Sequence, residues 1–280
     1  MNKLRLYILL SAIILSFQLS GIFASQVRVH ATGAGAETVN LYALRDKYGF
    51  LWIGTTTGLA CFDGNGIPTN RNVSGIIRST SNLRVNTLFE HGDDIWFASP
   101  AGLMVFDRKE NRTYRFPYKT KYGVEISARI DKILQADPDR VWIVTQGQGF
   151  FIYNSKTKTL EQDSRHGSFF TDAELGKDGS VFVAGFDGMI QKFTPAGKLL
   201  ASYTIPGYIP NKSPIHMETA GDNLWLASGS DLYQLNLLNG EISRRHTTAT
   251  AGIISDLLNV ESDKLLLGTP SGILSYNIPS

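Results

Sequence analysis

The chain has 280 residues, 42% of them apolar and 19% charged, and a formal charge of +2 at pH 7. That balance suits one globular domain and excludes the strongly basic surface that binding to nucleic acid would require. The single cysteine, Cys61, excludes an intrachain disulfide, and in its apolar strand it reads as a small hydrophobe.

The first 24 residues read as an export signal. Lys3 and Arg5 form a basic start, Leu6 to Leu19 an apolar stretch, and Gly21-Ile22-Phe23-Ala24 a cleavage region. An uncleaved N-terminal membrane anchor is the alternative. Export without disulfides points to a periplasmic location. Residues 25–36 are a lead-in, with Gln26 to Ala31 alternating like a strand and Gly33-Ala34-Gly35-Ala36 lacking the lysine of a phosphate loop.

From residue 37 onward one unit repeats. Val39 to Leu44 has strand character, Asp46-Lys47-Tyr48-Gly49 supplies a turn, Leu51-Trp52-Ile53-Gly54-Thr55 is a second strand, Thr56-Thr57-Gly58 turns the chain, and Leu59 to Phe62 is a third. Equivalent strands carry Trp96, Trp142, Phe182, Trp225 and Leu266. These anchors and Trp52 lie 40 to 46 residues apart, the period of one blade of a β-propeller. Polar outer strands follow at Thr113–Phe116 and Thr159–Gln162, as an exposed edge requires. The expected fold is all-β: about six four-stranded blades at 37–82, 83–128, 129–168, 169–213, 214–250 and 251–280.

The last blade lacks residues for a fourth strand. The reading is therefore that Gln26–Ala31 completes it and closes the ring, or that the chain is the front part of a larger propeller array.

No constellation supports catalysis. His30, His91, His166, His216 and His246 are scattered, and the carboxylate pairs Asp93-Asp94 and Asp137-Pro138-Asp139 occupy turn positions before Trp strands. No cofactor, metal or catalytic residue is expected. Aligning the inner strands instead gives a ring of polar residues at one channel mouth: Asn40, Asn86, Asp131, Thr171, His216 and Ser255. Asp172, Glu218 and Asp256 lie close by, and Tyr42 or Phe170 offers a stacking surface. Such a ring can hydrogen-bond sugar hydroxyls.

The run Asp46-Lys47-Tyr48-Gly49-Phe50-Leu51-Trp52-Ile53-Gly54-Thr55, continuing through Gly58-Leu59 to Phe62-Asp63, resembles the two-component regulator propeller repeat. Copies two, three and five keep the Trp strand, and copies four and six keep only the outline. The resemblance spans about 37–277. It implies a relative of the periplasmic sensor regions of Bacteroidetes hybrid two-component regulators, several of which sense carbohydrate fragments. It also implies a module without kinase or regulator parts, since none follows. The expected function is ligand sensing without catalysis, with a carbohydrate or other small ligand and a protein partner or self-association. The alternatives are an exported propeller enzyme of lyase or lactonase type, and a truncated or scaffolding propeller.

Overall fold

The computed structural model describes residues 26–31, 39–55, 58–62, 84–100, 102–210, 212–248, 250–261 and 263–278. The export signal, the Gly-Ala lead-in and the turn after Phe62 lie outside the described residues. The described chain is all strand and turn, and no helix among these residues is long and apolar enough to cross a membrane.

Twenty-three strands are arranged in six sheets. The first blade holds β1 (Gln26–Ala31), β2 (Val39–Arg45), β3 (Leu51–Thr55) and β4 (Gly58–Phe62). The second holds β5 (Thr87–His91), β6 (Asp94–Ser99), β7 (Gly102–Asp107) and β8 (Arg112–Arg115). The third holds β9 (Arg129–Asp137), β10 (Arg140–Gln146), β11 (Phe150–Asn154) and β12 (Thr159–Asp163). The fourth holds β13 (Phe170–Leu175), β14 (Val181–Gly185), β15 (Met189–Phe193) and β16 (Leu199–Thr204). The fifth holds β17 (Ile215–Ala220), β18 (Asn223–Ser228), β19 (Asp231–Asn236) and β20 (Ile242–Thr247). The sixth is three-stranded among the described residues: β21 (Asp256–Glu261), β22 (Lys264–Thr269) and β23 (Gly272–Asn277). Each sheet is an antiparallel meander. β2, β5, β9, β13, β17 and β21 contact one another in succession and form the inner wall.

The six-blade expectation holds, but the closure expected of the N-terminal strand does not. β1 pairs with β2 of the first blade, in register from Gln26 opposite Leu44 to Ala31 opposite Val39. A short connection across 32–38 makes the hairpin with β2 the local solution.

Five core clusters hold the blades together, each between one blade and the next. Trp52 packs with Leu88, Ile95, Phe97 and Phe106 of the second blade. Trp96 packs with Ile130, Ile143 and Tyr153 of the third, and Trp142 with Val181, Val183 and Phe193 of the fourth. Phe182 packs with Ile215, Leu224 and Leu226 of the fifth, and Trp225 with Leu257, Leu265 and Leu267 of the sixth. The anchors are thus packing residues, each facing the following blade. Among the described residues no such cluster joins the sixth blade to the first. Leu258 and Leu266 are only half-buried, Ile273 is 55% exposed, and Leu51 and Ile53 on the far side of the first blade are half-buried as well.

The turn before the first anchor has a covalently short but heavily used carboxylate. Asp46 Oδ1 accepts from the backbone N–H groups of Tyr48 and Phe50, both at 2.9 Å, and Oδ2 accepts from Trp52 Nε1 at 2.7 Å. Arg108 of the second blade reaches Asp46 Oδ2 at 2.7 Å. Gly49, at φ 89°, closes the turn in a conformation that side chains rarely adopt. Asp137 repeats the arrangement, accepting from the N–H groups of Asp139 and Arg140 and pairing with the Arg140 guanidinium at 2.6 Å. These carboxylates build turns and carry no other chemistry.

The one-sided use of the anchors sets up a direct comparison. Trp225→Ala, emptying a fully buried site, should destabilise the fold by about 3–5 kcal/mol. Leu266→Ala, at the same position facing no further blade, should cost about 1 kcal/mol or less. Urea unfolding of both variants checks this, and equal losses would mean that the sixth face is covered.

Candidate inner-strand site

Antiparallel pairing assigns the inner-strand residues to faces. The residues opposite Gly54, Ala98, Val144, Ala184, Ala227 and Gly268 are Tyr42, Thr87, Lys132, Asp172, His216 and Asp256. Those opposite the six anchors are Leu44, Phe89, Leu134, Glu174, Glu218 and Leu258. Residues two apart on a strand share a face, so both sets look toward the next blade. The third to sixth blades consequently gather Lys132, Asp172, Glu174, Glu218 and Asp256 along the inner wall.

The cluster is tightly connected. Lys132 Nζ lies 3.4 Å from Asp172 Oδ1 and 3.7 Å from Glu174 Oε2. Asp172 Oδ2 accepts from the backbone N–H of Met217 at 2.9 Å, and Glu218 Oε1 accepts from that of Asn259 at 2.9 Å. Neighbouring inner strands share no ladder, so these carboxylates cap backbone donors that would otherwise be orphaned between blades. Thr171 does the same work: its hydroxyl donates to the Ile215 carbonyl at 2.8 Å and accepts from the Ile215 N–H at 3.1 Å.

One ammonium faces four carboxylates, and the titrations reflect it. Burial alone would push the Lys132 ammonium toward neutrality, but Asp172, Glu174, Glu218 and Asp256 outweigh that and hold it charged well above the usual lysine range. Burial raises the Glu174 carboxyl to about 7, against the attraction of Lys132 and with the repulsion of Asp172. Burial also raises Glu218 well above the ordinary carboxylate value, and the charge of Glu174 adds to it. Near neutrality the wall therefore offers both protonated and ionised carboxyls, that is, donors as well as acceptors, beside a fixed cation.

The structure disperses the ring expected from sequence. Asn40 lies on β2 opposite His30, and its side chain is outside the described set. Asn86, buried ahead of β5, donates its N–H to the Ala98 carbonyl at 2.9 Å. Asp131 accepts from Arg129 Nε at 3.0 Å, Thr171 is the latch just described, and Ser255 donates its hydroxyl to the Gly268 carbonyl at 3.1 Å. Of the five whose side chains are described, His216 alone shares the face of Lys132, Asp172 and Asp256.

Bulges explain the offset. The pairing skips Asp131 between Ile130 and Lys132, and skips Thr171 between Phe170 and Asp172, so each copy slips by one residue and its alternation changes face. Glu218, Asp172 and Asp256 had been flagged as neighbours in sequence, while Lys132 and Glu174 were missed. Neither expected stacking surface is available: Tyr42 and Phe170 are buried in core clusters.

The described histidines lie in separate surroundings. His91 packs tilted against Trp96, with ring centroids 4.7 Å apart, and meets Gln135 Oε1 at 3.4 Å, His166 Nδ1 lies 3.3 Å from Asp163, and His246 packs 5.5 Å from Tyr276. Among the described residues no group of three or more His, Cys, Asp or Glu is arranged for a metal ion.

No family model and no curated protein sequence matches the chain. Solved structures do. The extracellular domain of the putative hybrid two-component system BT4673 from B. thetaiotaomicron matches at TM-score 0.69 and 17% identity, over 92% of this chain and 34% of that one. That of BT3049 from the same organism matches at 0.64 and 17%, over 84% and 33%. The β-propeller domain of Cps50 (Swd1) from Myceliophteria thermophila matches at 0.63 and 12%, over 93% and 99%. The chain therefore spans about a third of the two-component extracellular domains it resembles. At such identities the likeness establishes the propeller fold.

The raised carboxyl has a thermodynamic signature. Glu174 titrates near 7 in the fold against 4.5 for an unperturbed glutamate, so the folded state holds the proton more tightly. Its contribution to stability is complete below about pH 4.5 and is lost as pH rises through about 7. The wild-type melting temperature should fall across that window, and Glu174→Gln should flatten the slope with Lys132, Asp172, Glu218 and Asp256 unchanged. Parallel profiles would contradict the assignment.

Proposed function

We propose that the chain is an exported, non-enzymatic ligand-sensing propeller of the periplasm, with a polyhydroxylated ligand such as a carbohydrate fragment held at the inner wall. The observation that carries this reading is the charge cluster of β9, β13, β17 and β21. One lysine and four carboxyls converge on a strand wall whose other copies place Tyr42, Thr87, Leu44, Phe89 and Leu134 at the same positions. Sugar hydroxyls are both donors and acceptors and match a mixed set of ionised and protonated carboxyls.

Two further observations support it. The repeat resembles that of two-component sensor propellers, and the structural likeness includes extracellular domains of two such systems. The basic and apolar leader at 1–24 fits export. Signal transmission then rests with a protein partner, or with parts of a longer assembly, that read the ligand-bound propeller.

Titration calorimetry of the purified protein against oligosaccharide mixtures tests the proposal. A saturable heat is expected, with affinity at least about tenfold weaker in Glu218→Gln, a change that keeps the Asn259 hydrogen bond but replaces the carboxyl with an amide. No heat from any mixture would overturn the reading. A stoichiometric divalent metal in the purified protein would favour the lyase or lactonase alternative instead.

A further inference from the structure

The third strand of every blade has a position that faces the preceding blade, opposite the residue after the anchor. It holds Ala60, Met104, Phe151, Tyr233 and Leu274 in five copies. In the fourth blade it holds Gln191, opposite Val183. Gln191 is only 6% exposed, and its Oε1 is buried with no hydrogen-bond partner. An interior amide left in this state is destabilising, and the repeat shows that an apolar residue fits the position.

Gln191 opens onto a cleft. Its lining includes His166 and Phe169, from the segment before β13, Phe186 and Asp187, from the β14–β15 turn, and Met189 at the start of β15, and its volume is about 170 Å³. That is below the range of about 300–1,000 Å³ typical of drug-sized ligands and suits a single ring. One wall is a phenyl ring presented to solvent, since Phe169 is 60% exposed. Its position is fixed by backbone contacts on both sides. The Phe169 carbonyl accepts from Phe186 N–H at 3.0 Å, a bridge joins Phe169 to Gln146, and the Ser168 carbonyl accepts from the N–H groups of Gly147 at 2.6 Å and Gly149 at 3.1 Å. An exposed aromatic on a fixed backbone, beside an amide at a position that is apolar in the other blades, suits a ligand with one apolar face and a hydroxyl edge.

We propose that this cleft is a second binding site, distinct from the inner wall, for one pyranose ring. The ring's C–H face lies on Phe169, and the Gln191 amide, Asp187 and His166 flank its hydroxyls. The proposal stands on the cleft alone and does not require the inner-wall reading.

Saturation-transfer NMR with the methyl glycosides of glucose, galactose and mannose tests it on the full chain. To silence the inner wall the measurement is made in the Glu218→Gln background, where at least one glycoside should still show transfer, reduced about tenfold or more when Phe169→Ala or Gln191→Leu is added. Phe169→Ala alters a surface side chain, so it keeps the test valid should Gln191→Leu fail to fold. No transfer from any glycoside in that background, or transfer unaffected by adding Phe169→Ala, would overturn the proposal. Transfer seen in the wild type and lost with Glu218→Gln alone would place the sugar at the inner wall and equally overturn it.

Discussion

Everything in this fold depends on each sheet burying its anchor face on the next sheet. A four-stranded antiparallel sheet of four- to nine-residue strands has little core of its own. The stability comes from the space between sheets, where Trp142, Trp225 and Phe182 are fully buried against apolar residues of the following blade. The arrangement is directional, and the direction explains an asymmetry at the two ends. The first blade gives its anchor to the second and receives none, and the sixth receives Trp225 and gives Leu266 to nothing among the described residues. Two half-satisfied faces are the natural result of a directional repeat, and heterologous contact between such faces is how copies or further blades would add.

Close to the axis the same packing rule meets a competing demand. Inner strands of neighbouring blades approach one another without pairing, so backbone N–H groups there need acceptors from side chains. Asp172, Thr171 and Glu218 supply them to Met217, Ile215 and Asn259. A neutral hydroxyl is sufficient for that purpose, as Thr171 demonstrates, and so the concentration of full charges goes beyond it. Buried charge is expensive unless paired, and one lysine cannot neutralise four carboxyls. Raising Glu174 and Glu218 toward protonation is how the fold tolerates the excess. The same cluster therefore stitches blades together and stores an unbalanced polar surface at the wall.

The period, the anchors and the turn carboxylates were legible in sequence because each obeys a short-range rule: strand length, aromatic burial, or the reach of Asp46 to Tyr48 and Phe50. Side-chain direction on the inner strands was not. A bulge adds one residue without any compositional mark, and those at Asp131 and Thr171 move two of the six polar positions off the shared face and into buried sites. The N-terminal strand was recognisable as a strand, but its partner was decided by proximity through a short connection and not by the vacancy at β23. Phe169 and Phe170 are adjacent, and sequence gave no ground for choosing between them. One bulge-shifted register makes Phe170 a core residue and leaves its neighbour in solvent.

Departures from the repeat are the more useful guide to function once the register is known. A position filled by Ala, Met, Phe, Tyr and Leu in five blades sets a physical expectation for the sixth instance, and Gln191 violates it at a measurable cost. Glu174 and Glu218 violate a similar expectation set by Leu44, Phe89, Leu134 and Leu258. All three fall in the fourth and fifth blades. Because the surrounding sheets repeat the same packing, they supply a rigid frame against which a few unfavourable polar substitutions can persist. Such substitutions lower stability wherever they occur, so their clustering in adjacent blades argues for a common use there and against random drift across the array.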